Sequence, residues 1–206
     1  MQEANDVVPY THAQIVKIIA ACDEIGRSNY ERRRARAMAL LMRYAGLRIS
    51  DVVTLSREHI QGRYLVKRAV KNNKLIRVEL PSAALEALDQ LPPPKAAAAN
   101  NKRYFSSDTT GLRSLVKGAW RTMDAVFKRS GVKGAHPHRF RHTLASELLG
   151  KGGSIEKVAG ILGDSPATIG RYYAKWTPEY QSLQDDLIRT IHGTDLAQAE
   201  KQARTC

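Results

Sequence analysis

The chain has 206 residues, of which 43% are hydrophobic and 26% charged, a balance that suits one globular domain with a core of its own. Its apolar stretches fall far short of the ~20 residues of a membrane helix, and none follows a basic N-terminus. This excludes a membrane span and a secretory signal and predicts a cytosolic protein. Two cysteines, Cys22 and Cys206, are too few for a disulfide scaffold or a Cys-based zinc site.

The positive charge is unevenly distributed. The formal net charge is +13 and the pI is about 10.0. Residues 28–77 carry thirteen Lys and Arg against three acids, and residues 102–151 carry eleven against three, while the remainder is net negative. Two basic blocks that fold together could line a groove for a polyanion, so nucleic acid is the expected partner. Basicity alone leaves a ribosomal or membrane-surface protein open.

The first part of the chain is predicted to be helical. Residues 11–14 have the pattern of a capping box and precede isoleucines at helical spacing. A second helix is predicted over residues 29–45, ended by Gly46, and a short third helix begins at Ser50.

The pattern then changes to β and returns to helix. Residues 63–70 and 75–80 are β-rich and flank Lys71-Asn-Asn-Lys74, which predicts a hairpin turn. A short helix opens at Pro81-Ser82, and residues 92–101 are predicted to be a loop. The remaining predicted helices cover residues 112–130, 138–150, 154–163, 166–174 and 178–192. The fold class is therefore α+β, mainly helical with a small antiparallel sheet.

Three short motifs carry residues suited to phosphodiester chemistry. Without a metal, that reaction needs cations for the phosphate oxygens, a nucleophile, a base and an acid for the leaving oxygen. Arg48 lies at a helix break, and His138 and Arg141 lie three apart on one helix face. Leu162-Gly-Asp-Ser165 then leads to a tyrosine pair at 172–173.

These motifs resemble the conserved boxes of the tyrosine recombinases of the phage integrase type, in family order and at family spacing. The first arginine box of that family reads approximately Gly-Leu-Arg-x-Ser-Glu, and residues 46–51 read Gly-Leu-Arg-Ile-Ser-Asp; the second reads His-x-x-Arg-His, as residues 138–142 do. The family nucleophile lies nine residues past the histidine of Leu-Gly-His-Ser, which corresponds to Tyr173, nine past Asp164. The family lysine lies in a hairpin turn, as Lys71 does. The likeness covers about residues 9–192.

The resemblance implies the catalytic-domain fold of DNA breaking-rejoining enzymes and a reaction that needs no metal, cofactor or ATP. Tyr173 would attack the scissile phosphate, giving a 3′-phosphotyrosyl enzyme and a free 5′-hydroxyl. Arg48 and Arg141 would hold the phosphate. Lys71 would protonate the departing 5′ oxygen, and His138 would assist proton transfer at the tyrosine.

Asp164 departs from the family pattern, which has His or Trp at this position. A carboxylate near a phosphate is repelled unless a cation holds it. Three explanations are open: a weakened enzyme, a side chain turned away to pair with a basic neighbour, or an engineered inactivation. The alternative functions are a relaxation activity like that of type IB topoisomerases, and a catalytically weakened DNA-binding module.

Several neighbouring residues compete for these roles. Lys74 lies close enough to replace Lys71 as the acid. His138 and His142 could be zinc ligands, but no HExxH motif or cysteine partner supports a metal site; His142 is interpreted as structural or as a residue that supports the catalytic ones. Tyr172 would point away from the site, because adjacent helical residues diverge by ~100°.

The domain and partner expectations follow from the same resemblance. Residues 1–193 are expected to form the catalytic domain and residues 194–206 a polar tail, without the N-terminal core-binding domain that family members generally carry. Double-stranded DNA is the expected partner, with a homotetramer on DNA. The helix from Pro178 to Ile191 either closes its own core or docks on a neighbouring subunit. A cytoplasmic, nucleoid-associated protein of prokaryotic or phage origin is expected.

Overall fold

The computed structural model describes residues 8–26, 28–94, 101–107, 110–178 and 180–190. The first half contains four helices and three strands: α1 (His12–Ala21), α2 (Asn29–Ala45), α3 (Ile49–Val53), β1 (Ile60–Gln61), β2 (Tyr64–Arg68), β3 (Leu75–Glu79) and α4 (Ser82–Asp89). The second half is helical: α5 (Leu112–Ser130), α6 (Pro137–Gly150), α7 (Ile155–Leu162) and α8 (Pro166–Tyr173). Single 3₁₀ turns lie at Arg57–His59 and Ala174–Trp176. The predicted α+β class is confirmed.

Side chains at the N-termini of the first two helices fix where these helices begin. The Thr11 hydroxyl accepts the Gln14 N–H at 3.2 Å, and the Gln14 side chain accepts the Thr11 N–H at 3.0 Å, so the predicted capping box is confirmed. Ser28 and Glu31 form a second such box at the start of α2. Each box satisfies two backbone donors that a helix start would otherwise leave unpaired.

The main apolar cluster surrounds α2. This helix packs against α4, α5 and α6, while α1 and α3 pack against α5. Met38, Leu41 and Met42 of α2 and Phe140 of α6 are fully buried. Burial of each such side chain contributes roughly 1.5–3 kcal/mol. The core therefore fixes α2 and α6 relative to each other; the first arginine box follows α2, and the second lies within α6.

The three strands form an antiparallel sheet in the order β1-β2-β3. The predicted hairpin is confirmed, although β2 ends at Arg68, because the Ala69 N–H already donates to the Lys74 carbonyl at 2.8 Å and closes the turn. The two-residue strand β1 was not predicted, since it is too short to show an alternating pattern. Lys67 pairs with Ile76 across the hairpin, and both are buried.

A second, smaller apolar cluster lies among α6, α7 and α8. We call it the small cluster; its buried members are Ala145, Leu149, Val158, Ala159, Leu162, Ile169 and Tyr173. Ser154 and Ser165 begin α7 and α8 by accepting backbone N–H groups at 3.3 and 3.1 Å. Helix α7 also packs against β3, which brings the hairpin next to the loop between α7 and α8.

The helical residues 180–190 do not close the core, which corrects one of the two sequence-based interpretations. Every described side chain in this stretch is exposed. Tyr180, Leu183 and Leu187 share one face as predicted, yet Leu183 is 74% and Leu187 64% exposed, so the described residues do not cover that face. Residues 191–206, which include the expected domain limit at 193 and the tail 194–206, lie outside the described residues.

No helix within the described residues is long and apolar enough to span a membrane.

Candidate active site

Arg48 and Arg141 reach one point from two different elements. Arg48 is the N-cap of α3, three residues after Ala45, the last residue of α2. Arg141 lies inside α6, its side chain is 3% exposed, and its Nη1 donates to the Gly46 carbonyl at 2.9 Å. That bond ties the second arginine box to the turn that carries the first one. We call these two residues the arginine pair.

Gly46 permits this close approach. Its φ of +60° lies in the left-handed region, where a side chain is strained. A Cβ at this position would overlap Leu162 of α7 and lie 3.1 Å from a Leu144 methyl carbon. A glycine therefore ends α2 and lets the Arg48 turn sit directly on α6 and α7.

The carboxylate of Asp164 lies between the two arginines. Its Oδ2 accepts from Arg48 Nη2 at 2.7 Å and from Arg141 Nη2 at 2.8 Å. Its Oδ1 accepts the Ser165 N–H at 3.1 Å. Burial alone would raise the pKa of Asp164, but the hydrogen bond from Arg141 and the charges of both arginines outweigh it, so the pKa is lowered. Asp164 is thus an anion paired with basic neighbours, and it lies inside the site.

One donor of the arginine pair has no partner among the described residues. Arg48 Nη1 is buried and makes no hydrogen bond with the described residues. A buried unpaired guanidinium donor is costly, because the lost hydration is not replaced. The arginine pair can therefore accept more oxygen atoms than Asp164 supplies.

The hairpin turn is anchored to the loop that carries Asp164. The Asn72 side chain donates to the Gly163 carbonyl at 3.0 Å, and Lys74 Nζ donates to the Asp164 carbonyl at 2.8 Å. Lys71, the predicted acid, lies in the same turn; its side chain is exposed and bonds to none of the described residues. The competing lysine, Lys74, is thus bonded to a carbonyl, while Lys71 lies beside the site without a protein partner in the described chain.

A buried ion pair links the hairpin to the Arg48 turn. Lys67 Nζ donates to Asp51 Oδ1 at 3.3 Å and to the Asp51 carbonyl at 3.0 Å, with side chains 3% and 0% exposed. Burial lowers the pKa of Lys67, and the charge of Asp51 acts against that shift. Asp51 Oδ1 also accepts the Val70 N–H at 2.7 Å. Since removing one member of a buried pair costs about 3–5 kcal/mol, this contact fixes the turn firmly.

Tyr173 points into the site from the end of α8. It is 4% exposed, whereas Tyr172 is 41% exposed, as predicted from the divergence of adjacent helical residues. The Tyr173 hydroxyl makes a short hydrogen bond with Nδ1 of His142. Burial raises the pKa of Tyr173 to about 12, with Arg141 acting to lower it. The phenol is therefore protonated near pH 7 and needs a base before it can attack.

His138 lies one helical turn before His142, with their ring centroids 4.5 Å apart. Burial and the charges of Arg141 and Arg48 lower the pKa of His138 to about 4. Burial and the neighbouring histidines lower the pKa of His142 to about 4 as well. Both imidazoles are neutral near pH 7, so either can accept a proton. The described contact with the tyrosine is made by His142, while His138 lies close enough to the arginine pair to feel its charge and makes no hydrogen bond with the described residues.

The comparison with known proteins agrees with this geometry. The sequence matches the phage integrase family over residues 10–179, a range that contains every residue of the site. The chain belongs to the phage integrase family. Integrase family membership accounts for the order in which the two arginine boxes, the hairpin lysine and the terminal tyrosine follow one another.

Two curated relatives and one solved structure show how far the likeness extends. The chain is 25% identical over 177 residues to the tyrosine recombinase XerA of Thermococcus onnurineus, covering 79% of this chain and 58% of that protein. It is 28% identical over 145 residues to XerC of Staphylococcus carnosus, covering 68% and 48%. It superposes on the catalytic domain of bacteriophage HP1 integrase with a TM-score of 0.62 at 21% identity, covering 86% and 92%. The tyrosine recombinase catalytic-domain fold is thereby confirmed, and the chain spans about half the length of those two relatives.

The two histidines considered as zinc ligands lie in the integrase site itself. Among the described residues, no group of three or more His, Cys, Asp or Glu side chains could hold a metal ion. His138 and His142 face each other edge to face and lie beside Tyr173 and the arginine pair.

Three contributors to the integrase site were not predicted from the sequence: His142, Asn72 and the Asp51–Lys67 pair. Lys67 carried a readable signal, because it is in phase with Leu65 on the inward face of a strand. A lysine at such a position needs a buried acid. The roles of His142 and Asn72 depend on contacts across 31 and 91 residues of chain, for which the local sequence holds no signal.

Proposed function

We propose that this chain is the catalytic domain of a site-specific DNA recombinase that cuts and rejoins DNA through a 3′-phosphotyrosyl intermediate. One observation carries the proposal: two guanidinium groups converge on a single anion beside a buried tyrosine whose hydroxyl is bonded to a neutral imidazole. Phosphoryl transfer depends on such positioning and charge stabilisation more than on covalent help from the protein.

In the proposed cleavage step, Tyr173 Oη attacks the scissile phosphorus and the P–O5′ bond breaks. His142 Nδ1 accepts the phenolic proton as the new bond forms, because it is neutral and already bonded to that hydroxyl. The arginine pair stabilises the charge that grows on the nonbridging oxygens, since a guanidinium makes fixed, charge-assisted bonds. His138, which lies close to the arginine pair, adds a further polar contact to the phosphate.

The leaving 5′ oxygen takes its proton from Lys71 in this proposal. The turn is held beside the site through Asn72 and the Asp51–Lys67 pair, while the Lys71 ammonium is uncommitted within the described chain. Lys74 is a weaker choice because the Asp164 carbonyl already accepts from it. Rejoining reverses the step, since the bond energy is kept in the phosphotyrosyl link and no ATP is consumed.

Double-stranded DNA is the proposed substrate. The two basic blocks, 28–77 and 102–151, carry Arg48, Lys71 and Arg141 of the site. Structural neighbours crystallised on DNA support this choice: XerH bound to difH superposes with a TM-score of 0.68 at 18% identity. A DNA substrate also supports the cytoplasmic, nucleoid-associated location expected from the sequence.

The proposal includes assembly on DNA as a homotetramer, with residues 1–193 as the catalytic domain. Support comes from the apolar face of residues 180–190, on which Leu183 and Leu187 are exposed. An exposed apolar face of this kind is typical of a protein-protein contact. Sedimentation of the DNA complex with and without residues 177–206 tests it: the shortened chain should bind DNA as smaller assemblies.

Covalent capture on DNA tests the proposed function. A duplex selected from a random-sequence pool by binding to the protein is nicked near each candidate cleavage position, so that the short 5′-hydroxyl fragment diffuses away and rejoining is blocked. We expect an SDS-resistant protein–DNA complex. Tyr173→Phe should abolish it while binding to the duplex changes less than about twofold, because the arginine pair is unaltered.

Tyr172→Phe is the matched control, since it removes the neighbouring hydroxyl and should leave covalent capture intact. Capture that survives Tyr173→Phe and disappears in Tyr172→Phe would overturn the assignment of the nucleophile. Capture with relaxation of supercoiled plasmid, but without exchange between two sites, would favour the topoisomerase-like alternative.

A further inference from the structure

Asp164 occupies the position that a phosphate oxygen would need. Its Oδ2 is the single acceptor for Arg48 Nη2 and Arg141 Nη2, at 2.7 and 2.8 Å. All three side chains are mostly buried, with exposed fractions of 15% for Arg48, 3% for Arg141 and 16% for Asp164. A second anion cannot take these two donors while the carboxylate remains between them.

The carboxylate satisfies the arginine pair incompletely. Its other oxygen accepts the Ser165 N–H, so one oxygen serves two guanidinium groups, and Arg48 Nη1 stays buried without a partner in the described part of the chain. A phosphodiester offers two nonbridging oxygens at tetrahedral geometry, enough to give each guanidinium its own acceptor. The unpaired donor is therefore an independent sign that the pair suits a larger anion than the one it holds.

The backbone around Asp164 is fixed, so the carboxylate can leave only by rotation of its own side chain. Asn72 bonds the Gly163 carbonyl, and Lys74 bonds the Asp164 carbonyl. Gly163 has a φ of +61°, and a Cβ there would lie 2.7 Å from Ile76 Cγ1. Movement of the whole loop would break these contacts. Rotation about the Cα–Cβ bond of Asp164 breaks only the hydrogen bonds of its carboxylate to the arginines and Ser165.

We infer that Asp164 is an internal competitor for the substrate phosphate: it occupies the arginine pair in the DNA-free protein and must be displaced before a phosphodiester can bind. The inference rests on the proposed function only in naming DNA as the source of the phosphate. If both anions stayed, they would have to crowd onto the same Nη2 donors, and the repulsion between two negative charges that close together is unfavourable. Asp164 therefore weakens phosphate binding and restricts it to ligands with enough additional contacts to displace the carboxylate.

Titration with inorganic phosphate at constant ionic strength tests the inference without any cleavage. Asp164→Asn removes the charge and nearly preserves the shape. We expect Asp164→Asn to bind phosphate about tenfold or more tightly than the unmodified protein, as measured by calorimetry. Without phosphate the variant should melt at a lower temperature, because the arginine pair loses its counter-ion, and added phosphate should restore much of the difference.

Asp124→Asn is the matched control. It removes the same charge from an exposed ion pair with Lys128 on α5 and should leave phosphate affinity unchanged. Arg48→Gln placed in the Asp164→Asn background should abolish the gain. If Asp164→Asn is too unstable to titrate, Asp164→His, which carries the usual family residue, is measured against the same criteria.

Three results would overturn the inference: equal phosphate affinity with and without the Asp164 charge, an equal gain from Asp124→Asn, or a gain that survives loss of Arg48. These results are separable from the fate of the proposed function. Arg48-dependent tightening without covalent capture on DNA would support the competitor and contradict the recombinase. Covalent capture with unchanged phosphate affinity would support the recombinase and contradict the competitor.

Discussion

The arginine pair and the nucleophile belong to two differently built regions. Arg48 and Arg141 are positioned by the main cluster around α2, which includes Met38, Leu41 and Phe140. Tyr173 belongs to the small cluster of α6, α7 and α8, which has seven buried members. Helix α6 takes part in both regions. Its Arg141 bonds the Gly46 carbonyl after α2, and its His142 bonds the hydroxyl of Tyr173 in the small cluster.

This difference separates phosphate binding from attack. The large core fixes the guanidinium groups before DNA arrives, which limits reorganisation during the reaction. The small cluster has fewer buried contacts, and local opening takes least free energy where such contacts are few. Changes in the small cluster should therefore impair cleavage more than DNA binding, and changes at the arginine pair should impair both.

The largest effect is expected from Arg141→Lys. Lysine keeps the charge but cannot bond the Gly46 carbonyl and an anion with the same fixed geometry. Cleavage measured by covalent capture should fall about 10²–10³-fold, with weaker duplex binding as well. Arg139→Lys, on the same helix but bonded to residues 8 and 9, is the control and should cleave normally. A normal rate for Arg141→Lys would refute its role at the phosphate.

Replacement of Lys71 should give the next largest effect. Lys71→Ala should slow cleavage about 10²-fold, because the 5′ oxygen then leaves without an acid. A duplex with sulfur in place of the bridging 5′ oxygen should restore the rate, since a thiolate leaves without protonation. The same change at Lys74 should cause a smaller loss that sulfur does not repair. If the sulfur-containing duplex restores the rate of Lys74→Ala and not that of Lys71→Ala, Lys74 is the acid and Lys71 is not.

Stability and activity should respond differently to acid. His138 and His142 have pKa values of about 4 in the folded chain, below the ordinary 6.5, so the unfolded chain takes up protons first as pH falls. The contribution of the two histidines to the free energy of unfolding should be complete above pH 6.5. It should decrease towards pH 4, by roughly 1–2 kcal/mol per histidine after allowance for solvent screening. Denaturant titrations across this range measure it, and His142→Gln should reduce the decrease.

Cleavage should not follow the ordinary histidine titration. Because His142 remains neutral until pH values near 4, the rate of covalent capture should show no loss centred at pH 6.5. If the rate halves near pH 6.5 in the unmodified protein and not in His142→Gln, the pKa of His142 is higher than its burial and charged neighbours indicate.

The smallest effects are expected from removing one methylene in each cluster, which compares the two clusters directly. Ile169→Val removes one methylene from the small cluster, and Ile18→Val does the same in the main cluster; both side chains are almost fully buried. Each should destabilise the fold by about 0.5–1.5 kcal/mol in chemical denaturation. Only Ile169→Val should slow cleavage, by a few-fold, with DNA affinity unchanged. Equal effects on cleavage would mean that the two clusters act as one unit.

Local sequence was enough to predict most elements but not the contacts between them. The capping box at Thr11, the hairpin turn at Lys71 and the glycine after α2 each depend on neighbouring residues, and all were predicted. The residues of the site were selected by their resemblance to a family, and the structure brings Arg48, Arg141 and Asp164 together. The position of Asp164 between two arginines could not be predicted, because it depends on three chain segments meeting.

For the helical residues 180–190, the sequence predicted an apolar face but not whether that face is buried. Leu183 and Leu187 have the spacing of a core-facing helix, yet they are exposed in this chain. An amphipathic pattern shows that a face is apolar but not what covers it. Likewise, the spacing of His138 and His142 placed both on one helix face without showing which of them would bond the tyrosine.

The most direct test of the account is to locate the DNA adduct on the protein. Trypsin should cut the trapped complex after Arg171 and Lys175, releasing a short peptide that contains Tyr172 and Tyr173. After nuclease digestion, fragment-ion mass spectrometry should place the 3′-phosphonucleotide on Tyr173. An adduct on Tyr172, on a serine or on any residue outside the site would contradict the proposal that the phosphate lies between Arg48, Arg141 and the tyrosine bonded to His142.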